Sequence, residues 1–215
     1  MLVGITAQKI KHSSYNEIGY YVNEKWQLLS KIIGIKLVIL TSLDMTEELI
    51  NNKTIGAIIL SGGGNLSASF PQSNNSTEIE NNTDLEREKI EKKLLEFSLS
   101  LQIPLLGVCR GMQAIGRYFG AKLISVKEHT NTRHNLNYFC PVIKKEINKN
   151  VNSYHNFGFS LSSITSEFEI IASHMNIIEK FVHKKKKIVG IMWHPEREEK
   201  FCSFDIELIK RLFNL

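Results

Sequence analysis

The chain has 215 residues, 42% hydrophobic and 23% charged, and its 27 Lys and Arg against 22 Asp and Glu leave a net charge of +5. This composition excludes a disordered tail protein, a collagen and a disulfide-stapled miniprotein. Its longest apolar runs, such as Ile55 to Leu60, fall far short of the roughly 18–20 residues of a membrane span.

The opening Met-Leu-Val-Gly-Ile-Thr reads as a strand, Leu2 to Thr6, and lacks the charged start and apolar region of a signal peptide. Ile18, Val22, Trp26, Leu29 and Ile33 recur at helical spacing and predict one amphipathic helix, stopped by Gly34. Ile35 to Leu40 and Ile55 to Leu60 are unbroken apolar runs that suit strands buried on both faces of a parallel sheet. Residues 66–83, rich in Ser and Asn and without periodicity, predict a long surface loop. Thr83 and Glu86 fit a capping box ahead of a helix whose core stripe is Ile90, Leu94, Phe97 and Leu101. Ile103 to Val108 is a further buried strand.

Phe168 to Ala172, Ile177 to Val182 and Ile188 to Trp193 read as consecutive strands. The lysines 184–187 between the last two read as a solvated hairpin tip rather than a nucleic-acid contact. A helix through Phe201, Asp205, Leu208 and Leu212 closes the chain. The expected fold is a single α/β domain over residues 1–215. It is a three-layer sandwich with a central, mostly parallel sheet and an antiparallel C-terminal extension. Cys109, Cys140 and Cys202, with no C-x-x-C spacing, argue for a reducing compartment, so the expected location is cytoplasmic.

Three segments carry chemistry. In Leu106-Gly107-Val108-Cys109-Arg110-Gly111-Met112-Gln113 a buried strand ends at a cysteine flanked by glycines, and a helix begins at once. A nucleophile on a sharp strand-to-helix turn needs small neighbours, and the helix N-terminus favours a thiolate. Met192-Trp193-His194-Pro195-Glu196 follows the last apolar strand. There His194 can act as base and acid toward the thiol, and Glu196 can orient its imidazole. Leu60-Ser61-Gly62-Gly63-Gly64-Asn65 lacks the lysine of a phosphate-binding loop. It fits an oxyanion-hole strand, with the N–H groups of Gly63 and Arg110 as donors. All three segments fall at C-terminal ends of predicted strands, where open α/β sheets place ligands.

Gly-Val-Cys-Arg-Gly-Met-Gln together with Trp-His-Pro-Glu resembles the class I glutamine amidotransferases, and more narrowly their free-standing γ-glutamyl hydrolase branch. Asp84-x-x-Arg87-Glu88 and Val151-Asn152-Ser153-Tyr154-His155-Asn156 match further motifs of that branch, so the resemblance runs from residue 60 to 196. The chain departs from the pattern at Asn65, where the branch has Asp, and at Asn156, where it has a second His. The resemblance implies Cys109 as nucleophile, His194 as base, Glu196 as its orienter and Gln113 as a contact to the glutamyl group. It implies that Tyr154, His155, Asn156 and Phe157 belong to a segment whose backbone holds the glutamate α-amino and α-carboxylate groups, with Ser153 beside them in the substrate site.

Residues 121–150 hold Lys122, Lys127, Arg133, Lys144, Lys145 and Lys149 against Glu128 and Glu146, net +4. His129, Arg133 and His134 lie where the branch approaches its leaving group, and Arg and protonated His suit a phosphate. The expected substrate is a small γ-glutamyl compound, phosphorylated or nucleotide-linked. The pattern most resembles hydrolysis of γ-glutamyl-CDP-amidate to cytidine diphosphoramidate in capsule polysaccharide modification. Alternatives are hydrolysis of a γ-glutamyl-polyamine type of amide, a glutaminase subunit that supplies ammonia to a synthetase, and a non-catalytic binding protein. Neither a cofactor nor a metal is expected, because no carboxylate or cysteine completes a set with His129, His134 and His155 at ligand spacing. No nucleic acid or membrane is expected as partner, and the expected state is a monomer or homodimer.

Overall fold

Burial of apolar runs on both faces dictates the centre of the sheet. The computed structural model describes residues 1–71 and 83–215. Its elements are β1 (Leu2–Thr6), β2 (Gln8–Lys11), β3 (Ile18–Tyr21), α1 (Lys25–Ile33), β4 (Lys36–Leu40), α2 (Leu43–Asn51), β5 (Ala57–Leu60), α3 (Leu85–Leu101), β6 (Leu105–Val108), α4 (Arg110–Tyr118), β7 (Ile124–Ser125), β8 (Thr130–Cys140), β9 (Lys145–Tyr154), β10 (Phe157–Gly158), β11 (Phe168–His174), β12 (Ile177–His183), β13 (Ile188–Ile191) and α5 (Ser203–Phe213).

The main sheet runs β11-β12-β13-β6-β5-β1-β4. From β13 to β4 every neighbouring pair is parallel, and β11, β12 and β13 pair antiparallel. Every residue of β5, β6 and β13 is buried, which requires cover on both faces. On one face lie Trp26, Leu29 and Ile33 of α1, Leu208 and Leu212 of α5, and Leu136, Ile147 and Val151 of the β8–β9 hairpin. On the other lie Ile50 of α2, Ile90 and Leu94 of α3, and Met112 and Ile115 of α4. This is the expected three-layer α/β arrangement with its antiparallel extension. Among the described residues, no helix is long and apolar enough to cross a membrane.

The local expectations diverge at four places. The helix expected from Ile18 starts only at Lys25. Ile18 is exposed in β3, which pairs antiparallel with β2, and Asn23 Oδ1 accepts from Lys25 N at 2.9 Å where the helix begins. The cap of α3 is Asp84, whose Oδ1 accepts from Arg87 N at 3.1 Å, rather than Thr83. Of the loop expected over 66–83, residues 72–82 lie outside the described residues. Its start is not a surface segment, because Leu66 and Phe70 are buried in the core. The basic stretch contains the paired strands β8 and β9. Its signal is period-two burial of His134, Leu136, Tyr138 and Cys140.

The tightest packing is at the β6–α4 junction. A Cβ on Gly111 would meet the Leu60 carbonyl oxygen at 2.0 Å, and one on Gly107 would meet the Gly111 carbonyl oxygen at 2.7 Å. Both contacts are with backbone, which cannot swing aside. We therefore expect Gly111→Ala to destabilise the fold by about 1–3 kcal/mol or more, read as a lower urea midpoint. An unchanged midpoint would show that α4 does not need to sit this close to β5.

Candidate active site

Cys109 joins β6 to α4 at φ +51° and ψ −108°, a conformation that ordinary side chains rarely adopt. The strain holds because the strand is paired on both sides and the helix is packed against β5. Its thiol is thereby fixed at the N-terminus of α4, where the first amides, that of Arg110 among them, have no carbonyl partner within the helix. β13 is the parallel neighbour of β6, with Ile191 opposite Val108. The chain leaving β13 therefore brings His194 to the same sheet end.

His194 Nδ1 donates to Glu196 Oε1 at 2.7 Å, and both residues are buried. Burial alone would lower the His194 pKa. The Cys109 sulfur beside it and the Glu196 carboxylate outweigh burial and raise it to about 9. The His194 backbone is clamped as well. Asn152 Oδ1 accepts from its N–H at 2.9 Å, and Asn152 Nδ2 donates to its carbonyl at 2.8 Å.

The glycine loop after β5 packs on this imidazole, since a Cβ on Gly62 would meet His194 Cε1 at 2.4 Å. The loop is held from behind by Arg87. Its guanidinium donates to the carbonyls of Ser61, Gly62 and Gly63, the last at 2.8 Å, while Nε donates to Glu91 at 2.7 Å. Arg110 bonds the same Glu91. With three successive carbonyls tied to one cation, and Gly63 at φ +91°, the loop has a fixed conformation beside the thiol.

The segment 153–157 is brought to the site, but several of its side chains are already engaged. Ser153 is fully buried and its hydroxyl donates to the His129 carbonyl at 2.6 Å, so it presents no side-chain contact to a ligand. His155 is buried, and its Nδ1 donates to the Phe157 carbonyl at 2.9 Å. Asn156 Oδ1 accepts from Thr130 Oγ1 at 2.6 Å. Gln113 Nε2 donates to the Phe157 carbonyl at 2.9 Å, bracing α4 against this segment. Tyr154 is exposed at the rim, its ring 6.1 Å from that of His194.

The expected leaving-group trio does not form a common anion site. His129 and His134 are buried, at 1% and 2% exposure, and turn inward to Glu179 of β12. Arg133 is on the surface, where its guanidinium is taken up by Glu198 at 3.0 Å and by Asn150. Lys145 and Lys149 likewise pair with Glu207 and Asp205, so ion pairs within the protein absorb much of the basic stretch. Glu179 also corrects the expectation that no carboxylate completes the histidine set. It lies in a different strand, and only the folded sheet brings it to them. A small cleft bordered by Gly62, Gly63 and Glu196 is also lined by Tyr21, Asn23 and Arg197, and a second cleft that shares those last three residues is lined by Lys25.

Residues 1–196 match the family model described as Peptidase C26. The chain belongs to the peptidase C26 family. A γ-glutamyl-CDP-amidate hydrolase of Campylobacter jejuni is 33% identical over all of this chain and 98% of its own length. The glutamine-hydrolysing GMP synthase subunit of Methanocaldococcus jannaschii is 27% identical over 83% of this chain and 84% of its own. A glutamine amidotransferase of Thermotoga maritima superposes with a TM-score of 0.68 at 14% identity, covering 100% of this chain and 98% of that one. As a peptidase C26 member the chain is a hydrolase of amide bonds. Sequence reading left Asn152 and Glu91 without a role. Asn152 lies inside a motif matched by resemblance, whereas Glu91 had no signal beyond helical spacing from Arg87.

A raised His194 pKa has two consequences. Its imidazolium persists through neutral pH and can give a proton to a leaving nitrogen, so we expect amide turnover to fall as pH rises through about 9. Relative to the ordinary value of 6.5, the raised pKa contributes stability that is complete below about 6.5 and is lost as pH rises to about 9. Glu196→Gln removes one of the raising contacts, so its falling limb should move to lower pH, with a smaller loss of kcat than in His194→Asn. A limb that stays in place, or equal losses, would show that Glu196 does not tune this imidazole.

Proposed function

We propose that this chain hydrolyses γ-glutamyl amides by way of a γ-glutamyl thioester on Cys109. The reading is carried by one observation: a strained cysteine at the end of β6 and a His194–Glu196 pair, bonded at 2.7 Å, beyond the end of its parallel neighbour β13. The Cys109 thiol gives its proton to His194 as its sulfur attacks the γ-carbonyl carbon, and the oxygen takes up the negative charge beside the N–H groups of Gly63 and Arg110. Such donors are typically worth about 3–4 kcal/mol each. His194 protonates the leaving nitrogen as the C–N bond breaks. It then takes a proton from the water that attacks the thioester, which releases glutamate and restores the thiol. Gln113 and the backbone of 153–157 border the position of the glutamyl group.

The substrate we favour is γ-glutamyl-CDP-amidate, released as glutamate and cytidine diphosphoramidate in capsule modification. Full-length similarity to the Campylobacter jejuni enzyme supports it. We assign its diphosphate to Arg197, on the cleft beside Gly62, and to Lys25, on the neighbouring cleft that Arg197 also lines, in place of the expected His129, Arg133 and His134. Similarity to the Methanocaldococcus jannaschii protein supports a second reading, a glutaminase that feeds ammonia to a synthetase. Glutamine turnover with and without such a partner separates the two.

Purified protein given γ-glutamyl-CDP-amidate should release equimolar glutamate and cytidine diphosphoramidate, and Cys109→Ala should release neither while keeping its fold. Activity of Cys109→Ala within tenfold of the parent would remove the covalent mechanism. Arg197→Ala should raise KM for the nucleotide-linked substrate by one to two orders of magnitude, roughly 1.4–3 kcal/mol for a lost charge-assisted bond, and spare glutamine. Arg133→Ala should change neither KM, being tied to Glu198. Equal effects of Arg197→Ala on both substrates would assign Arg197 a purely structural part.

A further inference from the structure

His129, His134, His155 and Glu179 converge in the interior, each at most 3% exposed. They offer one ligand atom apiece, and these four atoms lie within 4.8 Å of one another. Glu179 Oε1 is 3.3 Å from His129 Nδ1, 3.6 Å from His155 Nε2 and 3.9 Å from His134 Nε2. His134 Nε2 is 2.9 Å from His129 Nδ1. Four N and O ligands at zinc–ligand distances of about 2.0–2.2 Å, set at the corners of a tetrahedron, stand roughly 3.3–3.5 Å apart. The four spacings just given scatter about that value, and every pair lies within 4.8 Å.

Hydrogen bonding alone does not account for the cluster. The Phe157 carbonyl can only accept, so the 2.9 Å contact places a proton on His155 Nδ1. The other ring nitrogen, Nε2, faces Glu179 Oε1 at 3.6 Å. Neither that nitrogen nor either oxygen of Glu179 has a hydrogen-bond partner. A ring nitrogen and a carboxylate buried face to face without a hydrogen bond are an arrangement that a bound cation satisfies. The His155 bond to a backbone carbonyl is also the outer contact that orients metal-bound imidazoles.

We propose that His129, His134, His155 and Glu179 form a tetrahedral zinc site. Three imidazoles and one carboxylate suit that ion, and four buried protein ligands leave no open position, which makes the site structural rather than catalytic. The ligands come from the residue before β8, from β8, from the residue after β9 and from β12. The ion therefore staples the β8–β9 hairpin and the segment 153–157 to the main sheet. The proposal does not rest on the substrate or on the hydrolytic reading.

The test uses the full chain, stripped by a chelator, desalted and given Zn2+ or Co2+ alone. We expect one ion per chain to survive desalting, measured by plasma mass spectrometry, and Zn2+ to raise the thermal midpoint. Co2+ should give the intense visible bands of a four-coordinate site without a thiolate charge-transfer band, which separates it from binding at Cys109. Glu179→Gln and His134→Gln should each cut retained metal at least tenfold. If either variant does not fold, the cobalt spectrum of the unaltered chain decides. No retained metal, a thiolate spectrum, or full retention by a folded His134→Gln would overturn the site and leave a buried cluster that shares a proton.

Discussion

The turn at Cys109 constrains everything around it. A cysteine at φ +51° is unfavourable on its own. It persists because β6 is hydrogen-bonded between β5 and β13 and because α4 packs directly on the β5 backbone. Relaxing the turn would pull apart a strand or lift the helix, and both are buried. The glycines at 107 and 111 follow from this geometry, since each sits where a side chain would strike main chain. The thiol is therefore positioned by the core of the protein and not by its own contacts.

A second constraint acts on the loop that faces the thiol. Arg87, Glu88, Glu91 and Arg110 are all buried, and such charges are stable only when each is paired and bonded. Arg87 meets this demand by binding Glu91 and three loop carbonyls, and Arg110 meets it in part, by binding Glu91 and the Asn65 carbonyl while its Nη2 has only Glu88 at 3.8 Å. The charge pairs thus fix the loop conformation as a by-product of their own satisfaction. Removing Glu91 would leave two cations without their shared partner, so its effect on the site would be larger than its distance from the sheet end suggests.

How much of this was legible follows from the range of each signal. The placement of Cys109, His194 and Glu196 at one end of the sheet was readable because their motifs are local: a strand run, a glycine spacing, a two-residue separation. The sheet centre was readable because burial on both faces leaves no polar alternation in β5, β6 and β13. Ile18 misled because its spacing to Val22 and Trp26 is helical, while pairing with β2 is a tertiary event that spacing does not carry. His129 and His134 misled for the same reason. Their charge type suited an anion, but β12 delivers Glu179 to them, and no local pattern announces a partner from another strand. The capping residue was missed by one position, because Thr83 and Asp84 are both competent caps and the choice depends on where α3 starts.

The segment from Asn152 to Phe157 links these parts physically. Asn152 grips the main chain of His194 at both its N–H and its carbonyl. One residue on, Ser153 bonds the His129 carbonyl, and the His155 amide bonds that same carbonyl at 3.0 Å. The Phe157 carbonyl receives both the Gln113 amide and the His155 ring. His194, the helix that begins at Cys109 and the buried His–Glu cluster are thus all bonded to one six-residue stretch. Such a stretch cannot shift at one end without disturbing bonds at the other. The β8–β9 hairpin, whose sequence looked like a basic surface, therefore acts on the site through position: its surface charges are paired off locally, and its interior edge holds the geometry in which His194 meets Cys109.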